Sequence, residues 1–131
     1  MGMMTEMRNS QSFHYINTDN TGISTHLSFH VSEVSNEDLK RMPHIEGARL
    51  TLADLNIVPE FAAGKILLMF TLLSKGVAEV KLVNSAGDIL WSEKSGGGSF
   101  SKAFVMGLNG VYYLEVKQGA GIALKKILKD E

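Results

Sequence analysis

The 131-residue chain has no cysteine, and that absence closes several routes at once. It excludes a disulfide scaffold, a thiolate zinc site, an iron–sulfur cluster and a thiol nucleophile. Proline is scarce, with Pro43 and Pro59 the two present. No charge of one sign dominates: 13 Lys and Arg stand against 14 Asp and Glu, a formal net charge of −1. A dedicated nucleic-acid binder carries a strong positive field, which this composition does not supply. The longest apolar run, Ile66 to Phe70, falls far short of the ~20 residues a membrane-crossing helix needs. The first eight residues, from Met1 to Arg8, lack the cationic start and apolar stretch of a secretion signal. The chain as given is therefore expected either to be cytoplasmic or to be a piece of something longer.

Catalytic signatures are missing as well. There is no nucleophile elbow, no HExxH zinc motif, no phosphate-binding P-loop and no dinucleotide fingerprint. A non-enzymatic protein without cofactor or metal is expected. What remains is an ordinary folding composition, 44% apolar and 21% charged. The length suits one domain with an appendage.

Composition changes near residue 47. Residues 1–47 hold all four histidines, five of the seven methionines, and three basic against six acidic groups. Residues 48–131 hold ten basic against eight acidic groups and ten of the thirteen glycines. Two units are expected, 1–47 and 48–131. In the first, Phe13 and Tyr15, then Thr25, Leu27, Phe29 and Val31, alternate with polar or small residues. That is the period of a half-buried strand. The turn chemistry of Asn17 to Gly22 between them makes a hairpin. Pairing Phe13 with Leu27 matches the apolar faces and sets His14 opposite His26. Two cross-strand histidines can seed a metal site; no third ligand falls beside them by spacing, so a solvated pair is expected. Asn17, Asp19 and Thr21 mimic the start of a calcium loop, but the twelfth position is Ser28, so a plain turn is expected. Ser35 with Glu37 and Asp38 reads as the start of a short helix that Pro43 stops.

The second unit reads as seven strands: 50–58 with a break near Asp54, 65–73, 77–84, 88–93, 99–106, 111–117 and 122–129. A glycine or turn cluster separates each from the next. Such strands at roughly 11-residue spacing argue an all-β antiparallel sandwich of the immunoglobulin-like kind. Tyr112 should point inward with Leu114 and Val116 and bond a backbone group, like the tyrosine corner of such folds. Lys125 and Lys126 read as a solvated pair on an edge strand. Leu67, Met69 and Leu73 form a second apolar face on strand 65–73. A strand apolar on both sides is buried on both sides, so the N-terminal hairpin, or failing that a homodimer partner, should cover it. Trp91 beside Tyr112 and Tyr113 suggests a sugar-stacking surface, although its place next to Leu90 favours packing.

Gly110-Val111-Tyr112-Tyr113-Leu114-Glu115-Val116, then a glycine turn and Lys125-Lys126-Ile127-Leu128-Lys129, resembles the C-terminal sorting domain of type IX secretion cargo. Gly64 to Phe70 and Asn84 to Leu90 match two further motifs of that family in order. The likeness covers about residues 50–131. Where the family has an aromatic followed by Pro-Asn-Pro, this chain has Val58-Pro59-Glu60-Phe61 and keeps one proline. The resemblance implies a non-catalytic module that directs a larger cargo through the periplasm to the cell surface or medium. It implies an outer-membrane translocon and surface-attachment machinery as partners. It implies Pro59, Gly110, Tyr112, Lys125, Lys126 and Ile127 as sorting-motif residues. The competing reading is an extracellular adhesive or carbohydrate-binding sandwich.

Overall fold

The computed structural model describes residues 10–34, 48–105 and 107–130. Their elements are β1 (Ser10–Thr18), β2 (Ser24–Glu33), β3 (Ala48–Arg49), β4 (Leu52–Glu60), β5 (Lys65–Asn84), β6 (Ile89–Phe104), β7 (Gly110–Gln118) and β8 (Gly121–Asp130). No helix occurs among the described residues, and the helix expected between Ser35 and Pro43 lies outside them. The strands run β1-β2-β8-β7-β5-β4, with β6 beside β5 and the short β3 beside β8. All pairings are antiparallel except that of β3. The sheet curls until it is nearly closed into a barrel. Its two ends meet where the Tyr15 hydroxyl on β1 donates to the Ile57 carbonyl on β4.

Two long strands replace four expected short ones. Strands 65–73 and 77–84 are one strand, β5, and 88–93 and 99–106 merge into β6. The residues read as turns, Ser74 to Gly76 and Gly96 to Gly98, face each other across this hairpin as a shared bend. Leu72 pairs with Gly98 and Lys75 with Gly97, and the register shifts on either side of Lys75. Gly97 sits at φ +90°, and a Cβ there would lie 2.8 Å from the Ser74 carbonyl oxygen. Only glycine lets the backbones approach that closely. Gln118 on β7 secures the bend, its Nε2 donating to Ser74 O at 2.9 Å and Gly76 O at 3.0 Å. The bend lets β5 serve two pairings: its first half takes β4, its second half takes β7, and β6 follows both.

The break read near Asp54 is a bulge. Register shifts between Ala53 and Asn56, and Asp54 adopts φ +53°. Pro59, which has no N–H to give a ladder, lies in β4 at the end of the strand path.

One core fills the interior. Leu27, Phe29 and Val31 from β2 pack with Ile57 from β4, Ile66, Leu68 and Phe70 from β5, Leu114 and Val116 from β7, and Ile127 from β8. Each such side chain contributes roughly 1.5–3 kcal/mol when fully buried. The hairpin therefore shares its core with the glycine-rich segment. Its faces match the expectation but its register does not: Phe13 pairs with Phe29 and Tyr15 with Leu27, two residues from the expected alignment. The described hairpin strands do not supply the expected cover for Leu67, Met69 and Leu73. Phe13 and Tyr15 pack into the core on the opposite side and β2 extends the sheet beside β8; Leu73 stays 75% exposed, while Leu67 and Met69 are half-buried.

A smaller cluster of Val83, Tyr113 and Leu124, with Val34 and Val111 against it, sits apart from the main core. These positions alternate with core residues along β5, β7 and β8, so they occupy the other face of the sheet.

Candidate functional site

Five of the six motif residues meet on the β7–β8 ladder. Gly110 opens β7 at φ +141° opposite Lys129. Tyr112 pairs with Ile127, and Leu114 with Lys125. Tyr112 is buried, and its hydroxyl donates to the Leu108 carbonyl four residues back at 2.7 Å. That is the inward tyrosine tied to backbone expected from the sequence. Ile127 is 1% exposed, wedged between Tyr112 and Val31 on the neighbouring strands. Pro59 stands apart on β4, opposite Ile66.

The two lysines are not an edge pair. β8 lies between β2 and β7, because the hairpin adds itself along the strand that would otherwise end the sheet. Lys125 donates to the Glu33 carboxylate at 2.6 Å, and Glu33 is paired with it in register. Lys126 points to the other face and is half-buried beside Tyr113 and Ser32. Lys129, four residues beyond Lys125 along β8, is buried and donates to Asn109 Oδ1 at 2.8 Å. Asn109 and Leu108 belong to the loop before β7. Tyr112 and Lys129 thus hold that loop to the ladder from two strands.

The same loop forms one wall of a groove of about 650 Å³. Trp91 and Lys102 of β6, Phe104, Tyr112 and Leu90 also line it. Leu108 and Val105, which also line it, leave 80% and 68% of their surfaces exposed. Trp91 is half-buried rather than a free platform. It packs against Phe104 at 5.3 Å and Phe100 at 6.3 Å, and the Lys102 ammonium sits 5.4 Å from its ring centre. Lys102 also pairs with Glu93 at 2.7 Å. The indole N–H of Trp91 is buried with no acceptor, which is the least expected feature of the groove.

The loop that mimics a calcium site is closed on itself. Asp19 Oδ1 accepts from the backbone N–H groups of Thr21 and Ile23 and from the Thr21 hydroxyl, at 2.9, 3.0 and 2.6 Å. The Thr21 hydroxyl bond first, then the Ile23 amide, lowers the Asp19 pKa below its ordinary 3.8. The histidines are rearranged by the register. His26 lies opposite Ile16, His14 opposite Ser28, and it is His30 that comes close to His14. Among the described residues no group of three or more metal-binding side chains gathers.

Compared with protein-family models, curated proteins and solved structures, the chain matches none. Fold and site define an all-β domain with a nearly closed antiparallel sheet, in which β8 is built into the core.

Proposed function

We propose that the chain is a non-catalytic sorting module of the type IX secretion class. It is read as a folded immunoglobulin-like domain by an outer-membrane translocon and by surface-attachment machinery. It carries its cargo through the periplasm to the cell surface or medium. The observation that carries the reading is the ladder of Gly110, Tyr112, Lys125 and Ile127. The order of these residues is that of the sorting motifs, and their packing makes the C-terminal strand a structural element rather than a tail. The Tyr112–Leu108 tether is the corner expected of an immunoglobulin-like sandwich, which supports the finer description of the fold. Tyr112 and Ile127 act from the interior by fixing the ladder, so recognition falls on the surface that they shape. The Leu67, Met69 and Leu73 face, uncovered by the hairpin, is available for a homodimer contact.

The groove beside Trp91 favours a second reading, an extracellular adhesive or carbohydrate-binding module. Its apolar rim suits a ligand, whereas the packing of Trp91 against Phe104 and Lys102 leaves less ring for sugar stacking.

The test is a reporter bearing an ordinary export signal, fused to the full chain in a host with a working type IX system. A twin lacks residues 120–131. Sorting requires reporter outside the cell with the full chain and none with the twin. Retention of both in the periplasm sinks the sorting reading and leaves the binding module.

A further inference from the structure

We infer that the outer edge of β6 is a pairing surface for a second copy of the chain, held off by the Glu93–Lys102 ion pair. Among the described residues β6 pairs with β5 alone. One side of a 16-residue strand therefore offers its backbone N–H and C=O groups to solvent. An open edge of that length is a template for another strand. The same edge on a second copy complements it. Two antiparallel β6 strands related by a two-fold axis would bond through identical surfaces.

The ion pair stands on the side of β6 that a covered strand would keep apolar. Residues directly opposite each other in an antiparallel pair share one face of the sheet. Glu93 lies opposite Val80 and Lys102 opposite Leu68, and both partners are core residues. Glu93 and Lys102 thus belong to the core-facing side of β6. They sit on the two arms of the strand, before and after the bend at Gly96 to Gly98. They meet across it, Lys102 Nζ to Glu93 Oε1 at 2.7 Å. Their neighbours on that side are aromatic. Trp91 packs on Phe104 at 5.3 Å, and the Lys102 ammonium lies 5.4 Å from the Trp91 ring centre.

Inward-pointing charge is one of the devices by which edge strands avoid pairing. A strand added along β6 would close over the pair and strip its water, a cost that the mutual attraction does not offset. Folding stability does not account for the pair. The Lys102 and Glu93 side chains are 24% and 46% exposed, and ion pairs in contact with water add little. Neutral residues in their place would leave the fold intact and remove the desolvation cost of pairing. This edge is separate from the outward face of Leu67, Met69 and Leu73, and the inference does not rest on the sorting function.

The experiment is sedimentation velocity of the full chain over a range of concentrations, each variant read against the wild type. Glu93→Gln with Lys102→Met removes both charges at similar volume. It should shift the mass to about twice the wild-type value or more. Glu93→Thr with Lys102→Thr, two good strand formers, is a second neutral variant and should shift the same way. Glu93→Lys with Lys102→Glu keeps the pair in reverse and should sediment as the wild type does. Ser92→Lys, at an exposed position of β6, should return a neutral variant to the wild-type mass, because lysine blunts an open edge. Thr25→Lys, exposed on β2, should not. Circular dichroism checks that each variant folds. Wild-type mass in the folded neutral variants overturns the proposal. So does assembly of the charge-reversed variant, or rescue by Thr25→Lys equal to that by Ser92→Lys.

Discussion

The Tyr112 hydroxyl is the one polar atom of a ring that otherwise lies in the core. Tyr112→Phe keeps the ring and leaves the Leu108 carbonyl without its donor, so a loss of about 1 kcal/mol is expected in urea unfolding. Tyr112→Ala also opens a cavity and should cost about 3–5 kcal/mol. Gly97 and Gly96 offer a contrast within one bend. A Cβ on Gly97 meets the Ser74 carbonyl at a left-handed φ, whereas a Cβ on Gly96 meets nothing within 4 Å. Gly97→Ala should therefore lower the melting temperature clearly more than Gly96→Ala, by at least 1 kcal/mol in stability. Two titrations follow from local bonding. Asp19 has a depressed pKa, so its contribution to hairpin stability is present above the ordinary carboxylate value of 3.8 and is lost as pH falls through the lower, folded one. Carboxyl NMR should place its midpoint below 3.8, and Thr21→Val should raise it. Burial pushes the Tyr15 pKa above 10.0. Its contribution is thus full below pH 10 and falls as alkali drives the pH toward the folded pKa.

Elements show where local pattern ends. The inward faces of β1 and β2 are legible because alternation is a local property, and Phe13, Tyr15, Leu27 and Phe29 keep their side in any register shifted by two. The register itself is set by the Asp19 carboxylate, which closes the turn through Thr21 and Ile23, and composition does not show which turn will form. The same limit governs the bend. Glycine and serine serve hairpin turns and strand corners alike, and what makes Ser74 to Gly76 a corner is Gly97 on the facing strand and Gln118 on another. Gln118→Ala strips both carbonyls of their donor, and about 1–3 kcal/mol should be lost in denaturant unfolding. The position of β8 was equally hidden. Its lysines resemble an edge pair until β2 docks alongside and Glu33 meets Lys125. With both side chains partly exposed, a double-mutant cycle on Glu33 and Lys125 should give a coupling of about 1 kcal/mol or less.

At the scale of the whole molecule, the N-terminal hairpin and the C-terminal strand close one core together. Phe29 and Ile127, about three quarters of the chain apart in sequence, lie on neighbouring strands, and both are essentially fully buried. The all-β class follows from alternation and glycine spacing, and the inward Tyr112 follows from its place in β7. The curl that brings β1 to β4, and the groove between the loop before β7 and Trp91, arise from the bend in β5 and β6 and have no linear signature. Under the proposed sorting function, the signal is lost when this core fails. Leu114, 0% exposed and paired with Lys125 on the C-terminal strand, is the place to break it without touching the surface. The decisive measurement is the extracellular fraction of a reporter fused to the full chain, compared between the wild type and Leu114→Asp. The expected result is efficient release with the wild type and retention with the unfolded variant. Equal release of both would contradict recognition of a folded module, and no release of either would contradict sorting itself.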